Sequence, residues 1–174
     1  MNTTKLRSIC FLCVIICAGV FCTPALAQRK SAFEILSDKD ASALIPSSFY
    51  FAGQSAPTQM RNAMAAKLGK DRFVIAGLVD TSGYSTEISG KYEGFFITDS
   101  PVKIGDKLLG TGAYGFGFSQ DGKLKIFDIS SRQILSINTR NDSDMKRPRP
   151  LQMTAESNGV RIYKGKSYAV ITPR

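Results

Sequence analysis

Histidine and tryptophan are absent from all 174 residues, and the four cysteines, Cys10, Cys13, Cys17 and Cys22, are confined to the first twenty-two. The lack of histidine removes the imidazole base of the usual nucleophilic triads and the commonest ligand of catalytic zinc. With no cysteine beyond Cys22, thiol nucleophiles and cysteine zinc clusters are missing from the rest of the chain. No apolar run of membrane-spanning length follows residue 27, and no helix–strand alternation marks a parallel sheet.

What is present at the start has three parts. Met1–Arg7 is short and cationic, Ile9–Phe21 is apolar and uncharged, and Thr23-Pro24-Ala25-Leu26-Ala27 ends in small residues at the positions a leader peptidase reads. The layout predicts a secretory signal over residues 1–27, cut after Ala27, and a single all-β domain over residues 28–174, periplasmic or secreted. Phe21 before Cys22 is too large for lipid attachment there. The 147 residues left after cleavage suffice for one domain with its own core, without a disulfide. A thiol-free chain suits an oxidising compartment, where nothing can mispair.

The whole chain carries a net charge of +9. Lys5 and Arg7 belong to the leader, so the remainder has 21 basic side chains against 14 acidic. They are scattered, except in Lys146-Arg147-Pro148-Arg149-Pro150, where Lys146, Arg147 and Arg149 are the candidate contacts to an anionic surface. Without a basic helix, and in an exported chain, nucleic acid is not an expected partner; the expected ones are an anionic envelope component or a small apolar ligand.

The patterning is that of short strands. Ser31–Leu36 reads as a helical turn or an edge strand, and Asp40–Leu44 as a turn before Pro46. Eleven strand segments follow between Gln59 and Thr172, separated by Gly, Asp and Asn turns. Phe73–Val79 is apolar throughout and reads as central, and Gln120-Asp121-Gly122 is the strongest hairpin signal. Thr139–Arg149 reads as an exposed polar loop. Nine to eleven strands with almost no helix predict an antiparallel β-sandwich or a small β-barrel.

Two stretches carry a resemblance. Val102-Lys103-Ile104-Gly105-Asp106-Lys107-Leu108-Leu109-Gly110-Thr111-Gly112-Ala113-Tyr114 resembles a strand–turn–strand element of uncharacterised secreted bacterial β-sandwich domains, with Gly110-Thr111 where that pattern has Pro-Ala. Phe51–Thr58 and Arg147–Leu151 are similar to segments of exported bacterial proteins. The resemblance implies a sandwich fold and export. It supplies no activity and no set of functional residues.

Candidate chemistry is sparse. Ser143-Asp144-Met145-Lys146 has Ser-x-x-Lys spacing, but in a polar loop instead of on a buried helix. Asp80, Glu87, Glu93 and Asp99 are the carboxylates near strand ends from which a hydrolytic pair would be drawn. Asp38 with Asp40, or Asn141 with Asp142 and Asp144, are too few oxygens for calcium, so no metal and no cofactor is expected. In Gly112–Phe118 glycine alternates with aromatics, leaving one strand face bare and the other bulky. The bare face suits close approach of another segment; the bulky one suits a core or a binding wall. On the second reading Tyr84, Tyr92, Tyr114, Phe116 and Phe118 form a ligand wall, with Phe95 beside them. The functions in order of expectation are an exported, non-enzymatic binding or envelope-associated module, a barrel carrier of a small apolar ligand, and a carboxylate hydrolase.

Overall fold

The computed structural model describes residues 33–174. The expected leader, its cleavage point and all four cysteines lie outside them. Residues 33–174 belong to one compact unit.

Ser37 caps the first helix, α1 (Asp38–Ser42), its hydroxyl accepting from the Asp40 amide, and Pro46 prevents continuation. The segment before it is an edge strand, β1 (Phe33–Ile35), not a helical turn. Next come β2 (Ser48–Phe51), a long β3 (Gln54–Leu68) and the central β4 (Phe73–Val79). A short helix α2 (Thr86–Ser89), capped by Ser85, precedes β5 (Gly94–Thr98). The hairpin β6 (Val102–Ile104) and β7 (Lys107–Leu109) leads to β8 (Gly112–Ser119), β9 (Lys123–Phe127) and β10 (Gln133–Asn138). The chain closes with β11 (Arg140–Asn141), β12 (Arg149–Ala155), β13 (Val160–Gly165) and β14 (Ser167–Pro173). The three strands beyond the expected eleven are the short β1, β2 and β11.

Two antiparallel sheets result. The larger runs β1-β3-β4-β5-β8-β9-β10, with β2 added to β3; the smaller runs β12-β13-β14-β6-β7, with β11 added to β14. Thus β6–β7 is an excursion between two strands, β5 and β8, that lie side by side in the other sheet. The polar stretch after Asn138 is not all loop, since β11 pairs with β14 within it.

Strand alternation divides the apolar residues into two cores. Ala76, Phe96, Phe116 and Ile126 point from the larger sheet towards Val102, Ile162 and Ile171 of the smaller one. Their neighbours of opposite parity, Ile75, Phe95 and Phe127, face a second cluster made with Phe49, Phe51 and Ala56 of the β2–β3 hairpin and with Tyr92. The hairpin reaches that outer face because β3 bulges between Thr58 and Ala63, where its pairing with β4 shifts register. The larger sheet is therefore covered on both faces, which is why β4 reads as one unbroken apolar run.

Candidate functional site

The bare face of β8 explains its glycines. A Cβ on Gly115 would sit 2.3 Å from the Phe51 ring, and one on Gly117 would sit 2.0 Å from the Lys91 carbonyl oxygen. Phe51 drops into the space Gly115 leaves and stacks on Tyr92, ring centroids 3.9 Å apart at 15°. Tyr84 meets both rings edge-on and donates its hydroxyl to the Gln54 carbonyl at 3.1 Å.

The five aromatic residues predicted as one wall are thus divided. Tyr84 and Tyr92 belong to the outer cluster, whereas Phe116 is buried between the sheets with Tyr114 and Phe118 packed against it. Tyr114 turns its hydroxyl to the carbonyls of Gly110 and Thr111 at 3.0 and 3.3 Å. Phe118, edge-on to Phe116 at 6.1 Å, lines a surface hollow.

That hollow, of about 700 Å³, opens at one end of the sandwich. Phe118, Ser119 and Gly122 come from the β8–β9 hairpin, Lys164 and Ser167 from the β13–β14 hairpin, and the segment Pro148-Arg149-Pro150 closes a third side. Arg149 starts β12 opposite Gly165 and is exposed. Pro150 biases the Arg149 backbone towards the extended region, in keeping with its place at the start of β12. The predicted basic cluster therefore splits: Arg149 lines the hollow, while Lys146 and Arg147 are exposed outside its lining.

Lys164 shares the strand face of Val160 and Ile162 and forms a part-buried ion pair with Glu93 across the sheets. The other Glu93 carboxylate oxygen accepts the Phe118 amide at 3.0 Å. Glu93 thus joins the aromatic strand, the opposite sheet and the hollow. Glu93 appears in the sequence as one carboxylate among several, but Lys164 gives little sign of its role. Its one signal is a lysine at the parity of two core residues, at the end of an apolar strand.

The remaining carboxylates have local work. Asp80 Oδ1 accepts the Ser82 amide, and these hydrogen bonds hold the carboxyl below its ordinary range. Asp99 accepts the Phe73 amide at 2.8 Å, and Glu87 pairs with Lys91 one helical turn on. Asp142 accepts the Tyr163 hydroxyl at 3.1 Å, and Asp40 the Ser37 hydroxyl at 2.7 Å. The Ser143 hydroxyl lies on Asp144, not on Lys146. Among the described residues no cluster of three or more acidic, histidine or cysteine side chains is arranged to hold a metal. None of their helices is long and apolar enough to cross a membrane.

The chain matches no protein-family model, no curated protein and no solved structure.

Proposed function

We propose that this protein is a recognition module of the cell envelope or its exterior, not a catalyst, and that it holds an anionic ligand at the sandwich end bounded by Phe118, Arg149 and Lys164. The observation that carries this reading is that Arg149, out of the one dense basic segment of the sequence, lines a hollow together with the half-buried Phe118 and Lys164. A cationic rim attracts an anion from a distance, and the aromatic surface gives it an apolar ledge on arrival. The ion pair with Glu93 balances Lys164, whereas Arg149 has no partner among the described residues, so the surplus positive charge at the hollow is that of Arg149. Export is supported by the tripartite leader and by the absence of cysteine after residue 22.

The barrel-carrier reading needs Tyr114, Phe116 and Phe118 to line an enclosed cavity, and Phe116 instead sits in the packed core. The hydrolytic reading needs two free carboxylates, and the candidates are held by separate local partners.

Titration with a polyanion such as poly-glutamate, at low and at physiological salt, tests the assignment. Arg149→Ala is expected to weaken binding about five- to tenfold at low salt, with Phe118→Ala comparable. Lys146→Ala and Arg147→Ala are expected to change it less. Equal effects of all four would mean that attraction is spread over the surface and that no site exists.

A further inference from the structure

Two of the residues that bound the anion hollow are engaged by one carboxylate that does not line it. One Glu93 oxygen takes the ammonium of Lys164, which lines the hollow from the smaller sheet. The other accepts the amide of Phe118, which lines it from the larger sheet, at 3.0 Å.

The two ends of the ion pair differ in freedom. The Glu93 amide donates to the Phe116 carbonyl at 2.9 Å, and the Glu93 carbonyl accepts the Val79 amide at 3.1 Å, so its backbone is fixed between β4 and β8. Its side chain is 25% exposed and has both oxygens engaged. The Lys164 side chain is 40% exposed and flexible along its stem. Its ammonium has three donors, of which Glu93 takes one. Lys164 can therefore meet a ligand, but with a fixed negative charge beside it. The two charges of the pair act on an incoming anion with opposite signs.

The pair also has a reason in the fold. Lys164 has the strand parity of Val160 and Ile162, which are buried between the sheets. A charge brought to the edge of that core without a partner is costly, and Glu93 supplies the partner.

We propose that Glu93 is a built-in counterion that sets the affinity of the hollow. It occupies Lys164 while the hollow is empty and leaves Arg149 as the main attraction for an anionic group. This rests on the anion-binding role proposed above and assigns the regulation of that site. The hollow holds a second cation in place, masked, and removing the Glu93 charge exposes it.

Titration of the folded chain with poly-glutamate, at low and at physiological salt, tests the proposal. Glu93→Gln removes the charge, keeps an acceptor for the Phe118 amide and leaves both backbone hydrogen bonds in place, so folding should be retained; circular dichroism and the unfolding midpoint check it. Glu93→Gln is expected to tighten binding about three- to fivefold at low salt and less at physiological salt. Adding Lys164→Gln to that variant is expected to abolish the gain. Lys164→Gln alone leaves Glu93 charged and unpaired near the hollow and is expected to weaken binding. Glu34→Gln is the control for net charge, since three strands of the larger sheet separate β1 from β8. A gain with Glu34→Gln equal to that with Glu93→Gln, or a gain that survives Lys164→Gln, would reduce the effect to overall charge and overturn the proposal. If Glu93→Gln changes nothing while Arg149→Ala weakens binding, the counterion role is overturned and the anion site stands. If Arg149→Ala also changes nothing, the anion site itself is lost.

Discussion

Gly117 shows what a single hydrogen atom in place of a methyl group can decide. Its missing Cβ is the space in which the Lys91 carbonyl lies, and backbone cannot rotate out of the way as a side chain can. Gly117→Ala is therefore expected to destabilise by about 2–3 kcal/mol, measured by urea unfolding, with the midpoint falling and the slope unchanged. Ser131 is the opposite case. It is held at φ +71° in a turn where Asp128 accepts from both neighbours, Ser130 and Arg132, while its own hydroxyl oxygen is buried without a partner. Ser131→Gly removes the strain and the orphaned hydroxyl together and is expected to stabilise by about 1–2 kcal/mol. A loss of stability would show that the hydroxyl has a partner in solution. Tyr92 also buries an unpartnered hydroxyl, fixed by its stack on Phe51.

At the scale of elements, the β2–β3 hairpin and the Glu93–Lys164 pair do related jobs. The hairpin covers one face of the larger sheet; the pair ties that sheet to the smaller one at the edge of the other face. Glu93 has two partners, so its substitutions separate them. Glu93→Gln keeps an acceptor for the Phe118 amide and loses the charge, whereas Glu93→Ala loses both. Glu93→Ala is expected to cost about 1–2 kcal/mol more than Glu93→Gln in thermal or urea unfolding, because an amide close to the core is left unsatisfied. Equal costs would place all of the effect in the partly exposed ion pair, whose own contribution water screens.

Across the whole molecule, the groups displaced from their ordinary ranges move away from neutrality. A hydrogen bond from Lys123 holds Asp121 at about 2, and hydrogen bonds from Ser82 and Ser130 lower Asp80 and Asp128. Burial pushes Tyr92, Tyr84 and Tyr114 upward. For a lowered carboxyl, the stabilising contribution is complete above the unfolded value near 4 and fades as pH falls through the folded one. For a raised phenol, it is complete below about 10 and fades as pH rises beyond that. With no histidine, stability is expected to stay flat between about pH 6 and 8.5, falling in acid below about pH 4 and in alkali above about pH 10. A midpoint that drifts by several degrees across the neutral plateau would reveal a displaced carboxyl or lysine and reopen the case for catalysis.

The sequence by itself determined the class of fold and much of its order. Period-two alternation, glycine-bearing turns and the unbroken apolar β4 depend on neighbouring residues, and they place most strands. The reason for the Gly112–Phe118 pattern was legible as far as one bare face that admits another segment. That the segment is Phe51, about sixty residues earlier, was not, because no local pattern specifies which distant side chain fills a gap. Only the tertiary structure divided the aromatic residues between two cores, and only it brought Arg149, Lys164 and Phe118 to one hollow and separated them from Lys146 and Arg147. Strand parity says which face a residue takes. Which sheet the β6–β7 excursion joins, and which turns meet at one end, follows from packing between elements far apart in the chain.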